Sequence, residues 1–436
     1  FAGFTMSDSD KDLQKLKTEN LRLKVAVEEL SILNEIATAI SSTMNLQKVV
    51  DLIVQKCVKH LKVDQGAVML LDQSDKKSAL QTMVRKVDTI SSGLPFRLDD
   101  QLTGWMLKNQ QPLLINDLKN DDRFQVTQGD SISIKSLIAV PLQSKGRMIG
   151  VLTVFNRRDE ELFSEDDKRL LTIIAAQSAQ VIETARLYLE EQQFQKMQQD
   201  MNMARQIQQN LLPNKAPLVD GYALAGVSFP AREVGGDYYD FISLPGKKIA
   251  FCIGDVSGKG MPAAMLMSNL QATLRGQTIN SSCARECLEK SNFLLYQSTD
   301  SEKYATLFYG ILDPVNHRLA YANAGHNHPI MIAADGSHQR LKTIGIPLGF
   351  LERFEFSEHT IPFEKGSVLV LFSDGISEAM NAFEEEFEEE KILEVTLANL
   401  EMGPNEIINY LIDAVRKHAG DAAQSDDMTL LVIKRF

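Results

Sequence analysis

The residues of this chain best suited to chemistry are aspartates that follow short apolar runs. Residues 247–260, KKIAFCIGDVSGKG, begin with a strand-length run from Ile249 to Ile253 that stops at Gly254, and Asp255 follows at once. Gly258 and Gly260 then open a helix-like segment over 262–275, with Pro262 suited to its first turn. An acid at the end of a buried strand, beside a glycine-rich turn, is placed to bind a cation or a phosphate. The plainer alternative is a strand-to-helix turn whose aspartate caps the helix. The turn is not a P-loop: three residues separate Gly254 from Gly258-Lys259, and Gly260 stands where that motif needs Ser or Thr. The pattern recurs at Val234-Gly235-Gly236-Asp237, at SVLVLF (367–372) ending in Ser373-Asp374-Gly375, and at Ser425-Asp426-Asp427-Met428-Thr429 leading into LLVIK (430–434). Four such acid-bearing strand ends, brought to one edge of a sheet assembly, would repel one another without cations. Magnesium or manganese, with oxygen ligands, are the natural partners. Two ions bridged by one aspartate could lower the pKa of a shared water and clamp a phosphoryl group.

The motifs VGGDYYD (234–240), GDVSGKG (254–260), NAGHN (323–327), SDGISE (373–378) and SDDMT (425–429) follow in this order. The set resembles the metal-dependent PPM serine/threonine protein phosphatases, in particular their SpoIIE-like (RsbU-like) bacterial branch, over the last half of the chain. The resemblance implies an α+β catalytic domain over 213–436, two packed β-sheets flanked by helices with the acids at one end. It implies two ions per site, Mn2+ or Mg2+, with Asp237 and Asp255 as metal contacts and Asp255 bridging both. The backbone carbonyl of Val256 would be a further ligand, and Asp374 and Asp426 would complete the first ion's site. Asp427 stands where many relatives carry Asn, so either of the tandem acids is a candidate ligand. No side-chain nucleophile is needed, because activated water would attack phosphorus directly. His326 matches a histidine that the family keeps in a structural loop. Arg232 reads as a substrate-phosphate partner or as a surface arginine, and the glutamate run over 384–390 reads as a solvated acidic loop.

The 436 residues allow two or three domains, and a formal net charge of -12 argues against nucleic acid as a partner. Cys57, Cys252, Cys283 and Cys287 form no disulfide framework and lack the companions of a zinc site. A polar, acidic start and the lack of any apolar run of bilayer length predict no membrane association and a cytoplasmic protein.

Ahead of the catalytic half, Leu13, Leu16, Asn20, Leu23, Val27, Leu30, Asn34 and Ala37 alternate by three and four. This predicts a coiled coil over residues 1–30 and a parallel homodimer, with the asparagines fixing register; a lone amphipathic helix is the alternative. Residues 31–188 read as a separate α/β domain with a helix over 46–61, strands over 66–71, 134–142 and 148–156, and a closing helix over 170–188. LTGWMLKNQQPLLIND (102–117), KSLIAVPL (135–142) and GRMIGVLTVFN (146–156) resemble a GAF sensory domain, which implies a central antiparallel sheet with helices. This half holds no acid–base or metal constellation, so its expected role is sensing or dimerisation, with a small molecule or a protein as signal. Asn156-Arg157, Phe163 and Asp167 partly match the cyclic-nucleotide GAF signature, with Arg157 in place of its lysine and Lys168 in place of its glutamate. Helix capping accounts for these residues better.

Residues 189–212 form a linker rich in Gln, Met and Glu, without glycine and ended by Pro213. Leu187, Phe194, Met197, Met201, Ala204 and Leu211 fall on one stripe, interrupted by Glu190 and Gln208. By resemblance, ARQIQQNLLP (204–213) communicates with the catalytic domain. The expected whole is a dimeric, GAF-regulated phosphatase acting on phosphoserine or phosphothreonine of a STAS-type anti-anti-sigma protein in partner switching. The competing expectations are a ligand-binding receptor with an inactive phosphatase-like half, against which the retained acids argue, and a phosphatase of small phosphoesters.

Overall fold

The computed structural model describes residues 45–71, 80–87, 96–124, 134–159, 161–299 and 303–436, with scattered helical positions between Lys15 and Ser31. It divides between Lys196 and Met197 into two compact units. The N-terminal unit contains α1 (Leu46–His60), β1 (Val63–Leu71), β2 (Leu80–Val87), α2 (Phe96–Asn109), β3 (Leu113–Ile115), β4 (Leu137–Ser144), β5 (Arg147–Arg157) and α3 (Glu165–Gln209). Its five strands form one antiparallel sheet in the order β2-β1-β5-β4-β3.

Strand periodicity distributes its side chains between two cores. Leu152 and Val154 of β5 join Val49, Ile53 and Cys57 of α1 and Ile174 of α3. The alternate residues Val151 and Phe155 join Leu102 and Met106 of α2 on the other face. Asn45 starts α1 by accepting a bond from the Lys48 N–H. The β4–β5 hairpin turns on Lys145 and Gly146, at φ 50° and 76°, the pair of positive values that a tight two-residue turn needs.

The signature-like residues at the end of β5 have a structural job. The Arg157 guanidinium meets Asp167 Oδ2 at 2.6 Å, and the same oxygen accepts the Ser164 N–H at 2.8 Å and its hydroxyl at 2.7 Å. Together they tie β5 to the first turn of α3. The closing helix and the linker, read separately in the sequence, are one continuous helix of 45 residues. No glycine or proline interrupts residues 165–212, so nothing local stops it. At the N-terminus, Leu16, Leu23 and Val27 are helical and exposed; Leu13, Leu30, Asn34 and Ala37 of the expected coil lie outside the described residues. Among the described residues no helix is long and apolar enough to cross a membrane.

The C-terminal unit begins within α3. It continues through β6 (Tyr222–Phe229), β7 (Tyr238–Ser243), β8 (Ile249–Val256), α4 (Met261–Asn280), α5 (Ala284–Ser298), β9 (Ala305–Asp313), β10 (Arg318–Ala324), β11 (Ile330–Ile332), β12 (His338–Arg340), β13 (His359–Pro362), β14 (Val368–Phe372), α6 (Asp374–Ser377), α7 (Glu389–Ala398), α8 (Pro404–Ala419) and β15 (Met428–Arg435). Two antiparallel five-stranded sheets result, β13-β10-β9-β8-β7 and β12-β11-β14-β15-β6.

Alternation along the strands decides the layers. Phe251 and Ile253 of β8 meet Leu369 and Leu371 of β14 and Leu431 and Ile433 of β15 between the sheets. Ala250 and Cys252 face the other way, onto Leu270 and Leu274 of α4 and Leu288 of α5. Leu430 and Val432 face Ile407, Leu411 and Val415 of α8. The expected β-sandwich flanked by helices is thus present. The four thiols are free, three of them buried.

Candidate active site

The acids stand where the two sheets end together. Asp237 immediately precedes β7, whose Tyr238 pairs with Gly254, so it lies opposite Asp255 near the end of β8. Asp374 follows β14 after Ser373, and Asp426 and Asp427 precede β15, the neighbour of β14. Ser373 locks these two strand ends, with its N–H on Thr429 O at 3.0 Å and its hydroxyl on Asp427 O at 3.0 Å. Asp255 does not cap α4. That helix starts at Gly260, at φ 74° and without a side-chain cap, leaving the Asp255 carboxylate to the cluster.

All five sequence-predicted carboxylates are brought within electrostatic reach of one another. Burial, and then the charges of Asp374, Asp426 and Asp427, push the Asp255 carboxyl up to about 7. Asp374 is raised for the same reasons, burial first and then Asp426. Asp237 is 4% exposed and held well above the usual carboxylate range by burial and by Asp255. Neither of its oxygens has a hydrogen-bond partner. The nearby hydroxyls are committed elsewhere, Thr429 to Ser228 Oγ at 2.8 Å and Ser373 to Asp427 O.

Asp426 and Asp427 are engaged by the protein at short distances. Asp426 Oδ2 pairs with Lys259 Nζ at 2.8 Å, and that ammonium also reaches Ser425 O at 2.8 Å. Asp427 is turned to the backbone: Oδ1 accepts the Ala231 N–H at 2.7 Å, and Oδ2 accepts those of Gly236 at 2.6 Å and Asp237 at 3.3 Å. Among the described residues no three His, Cys, Asp or Glu side chains enclose an ion as they stand.

The donor set nevertheless suits hard divalent cations, because a buried carboxylate with two unpartnered oxygens costs several kcal/mol unless charge is supplied. Space for such charge is present. A Cβ on Gly236 would stand 3.0 Å from the Val256 carbonyl oxygen and 3.3 Å from Asp255 Oδ1, so the glycine keeps open the volume these oxygens face. At Gly235 a Cβ would collide with Asp427 Oδ2 at 2.3 Å; the glycine pair is what lets Asp427 reach the backbone.

Several neighbours were not assigned from sequence. Gln208, which breaks the linker's apolar stripe, donates to Gly235 O at 2.7 Å and accepts the Gly235 N–H at 3.1 Å. The end of α3 is therefore fastened to the loop carrying Asp237. Asp240, fully buried, accepts from Arg275 Nε at 2.6 Å and from the Tyr238 hydroxyl at 2.7 Å, tying β7 to α4. His326 is buried against Thr306, Nδ1 to Oγ1 2.9 Å, and burial pushes its imidazole down to about 4. The glutamate run is not simply solvated: Phe387 is buried, and Glu389 and Glu390 pair with Arg340.

Residues 245–436 match the family described as Stage II sporulation protein E (SpoIIE), and residues 43–183 match the GAF domain. Protein IcfG of Synechocystis sp. is 29% identical over 263 residues, 54% of this chain and 41% of that protein. Phosphoserine phosphatase RsbU of Bacillus subtilis is 29% identical over 244 residues, 55% of this chain and 71% of that protein. The chain thus spans less than half the length of the first of these relatives and about seven-tenths of the second. Among solved structures, the SiaA-PP2C domain of Pseudomonas aeruginosa shares the fold at 18% identity and a TM-score of 0.50, covering 56% of this chain and 98% of that one. Residues 43–183 are thus of the GAF type, and residues 245–436 are of the SpoIIE type with the fold of the PP2C domain.

Proposed function

We propose that the chain is a metal-dependent protein phosphatase that hydrolyses phosphoserine or phosphothreonine on a STAS-type anti-anti-sigma protein, under control of its GAF domain. The observation that carries the chemistry is the Asp237 carboxylate, buried and without a partner, beside an Asp255 raised by its acidic neighbours. Two ions, Mn2+ or Mg2+, would be held by Asp237, Asp255, the Val256 carbonyl, Asp374 and Asp426. When bound, the ions supply Lewis-acid charge to phosphoryl oxygens and lower the proton affinity of water.

The chain's own residues do the positioning. Asp427 holds the loop over 231–237 through the backbone N–H groups of Ala231, Gly236 and Asp237. Ser373 fixes the Asp374 turn to β15. Lys259 pairs with Asp426; a cation held by Asp426 would leave that ammonium free for a substrate phosphate. Regulation would pass along α3, whose Gln208 grips Gly235. A homodimer is favoured by the exposed apolar residues Leu16, Leu23 and Val27 at the N-terminus and Leu187, Phe194 and Met197 on α3. The GAF domain would receive the signal, a small molecule or a protein.

The test is incubation of the full chain with manganese and phosphorylated STAS-domain proteins, beside phosphoproteins of other folds. Phosphate release from a STAS protein well ahead of the others is expected. Equal turnover of all of them would remove the STAS assignment, and turnover of small phosphoesters alone would remove the protein substrate.

A further inference from the structure

Beside the acid cluster lies a cavity of about 280 Å³ that the phosphatase chemistry does not use. Its floor is apolar, with Phe229 and Pro230, and its wall includes Gly375 and Ser425, the immediate neighbours of Asp374 and Asp426. Its rim carries Arg205 of α3 and Arg416 of α8. Neither guanidinium has an ion pair or hydrogen bond among the described residues. The Arg416 guanidinium lies over the Phe229 ring, 5.4 Å from its centroid, which leaves its N–H edge available. Gln424 stiffens the wall, donating to Phe229 O at 2.8 Å and Asp426 O at 2.7 Å.

Two cations without counter-ions, in a chain of net charge -12, beside a site built of aspartates, mark a subsite for an anion. We propose that this cavity binds an Asp or Glu side chain of the phosphoprotein substrate, close in sequence to the phosphorylated residue; the inference rests on the phosphatase reading above. Adjacency sets the distance. Gly375 and Ser425 are one residue from Asp374 and Asp426, and a chain advances about 3.3–3.8 Å per residue. The occupant therefore comes from within about three residues of the phosphoserine. The apolar floor suits the methylene stem of the side chain, and the guanidinium forks suit a carboxylate. A second phosphoryl group would be drawn to the arginines and repelled by Asp374 and Asp426 in proportion to the same larger charge, so charge alone gives it no advantage over a carboxylate. Because Arg205 sits on the linker helix, the same pocket would place substrate recognition in contact with the regulatory element.

The experiment uses the full chain, manganese and phosphoserine peptides bearing Glu, Gln, Lys or a second phosphoserine at each of the three positions on either side. At one position Glu is expected to raise kcat/KM over Gln by about five- to tenfold, the scale of one charge-assisted pair. Arg416→Glu should invert that preference toward Lys at the same position. Arg205→Glu, on an exposed helix face, should do so as well, and it keeps the test available if the α8 variant folds poorly. Equal rates for Glu and Gln at every position, or a preference for the second phosphoserine over Glu, would overturn the assignment. p-Nitrophenyl phosphate separates the two levels. If the unaltered chain with manganese does not turn it over, the phosphatase reading fails and the pocket with it; if it does so but shows no Glu preference, the pocket alone fails.

Discussion

Replacing Asp427 with Ala is expected to loosen the metal-binding loop from within the fold. Asp427 is 7% exposed, and its carboxylate accepts two short bonds, from Ala231 N–H at 2.7 Å and Gly236 N–H at 2.6 Å. Hydrogen bonds to a charged group contribute about 1.5–3 kcal/mol each, so the pair contributes about 3–6 kcal/mol. Against this, Asp427 adds to the repulsion felt by Asp237 and Asp255, and its removal returns about 1–2 kcal/mol. The net loss is therefore about 1–5 kcal/mol, or a fall of about 2–20 °C in the melting of a unit of this size. Asp427→Asn keeps one acceptor oxygen and should lose about half as much. Urea unfolding followed on the transition of the C-terminal unit measures both, with manganese affinity read in parallel. An Asp427→Ala protein that unfolds like the parent and binds manganese normally would refute the assignment of Asp427 to the loop.

Gln208→Ala removes both bonds to Gly235 and should cost about 1–2 kcal/mol, seen as roughly tenfold faster hydrogen exchange at the Gly235 N–H. Since α3 is continuous, inserting two residues after Gln199 turns its downstream part by about 200°, and four by about 400°, near one full turn. The first insertion should alter basal phosphatase activity more than the second, and equal rates would make the linker a passive tether. His326 gives a pH signature. Its folded pKa, about 4, lies below the unfolded value of about 6.5, so the imidazole is neutral in the fold. Its stability contribution is complete above about pH 6.5 and falls as pH drops toward about 4, by about 2 kcal/mol at about pH 5. Comparison with His326→Gln isolates this slope from the opposing effect of the raised aspartates.

The strands that carry the acids were legible because apolar, β-branched runs adjoin an acid, stopped by one at Ile253-Gly254-Asp255 and Phe372-Ser373-Asp374 and preceded by a pair at Asp426-Asp427. Their convergence followed from repetition of one pattern on paired strands. What escaped was set by contacts between residues far apart in the chain. Asp427 lies 196 and 191 positions from Ala231 and Gly236, and nothing local says which of two adjacent carboxylates turns to the backbone. Gln208 looked like a flaw in an apolar stripe because its partner, Gly235, lies beyond the helix. The boundary between closing helix and linker was drawn where composition changes, yet composition without glycine or proline cannot end a helix. The three-residue strands β11 and β12 are too short to show a period, and the glutamate run gave no hint that Phe387 anchors it or that Arg340 pairs with it.

Phosphate release is expected to depend on cations held by the strand-end aspartates. The most direct measurement is manganese-dependent phosphate release from one phosphoserine substrate by the full chain and by Asp255→Asn, at saturating manganese and with folding checked by thermal melting. The several kcal/mol of transition-state stabilisation that cations held there would supply correspond to about a thousandfold in rate, so the variant should be folded and nearly inactive. A folded Asp255→Asn protein that turns over substrate at the parent's rate would contradict the account.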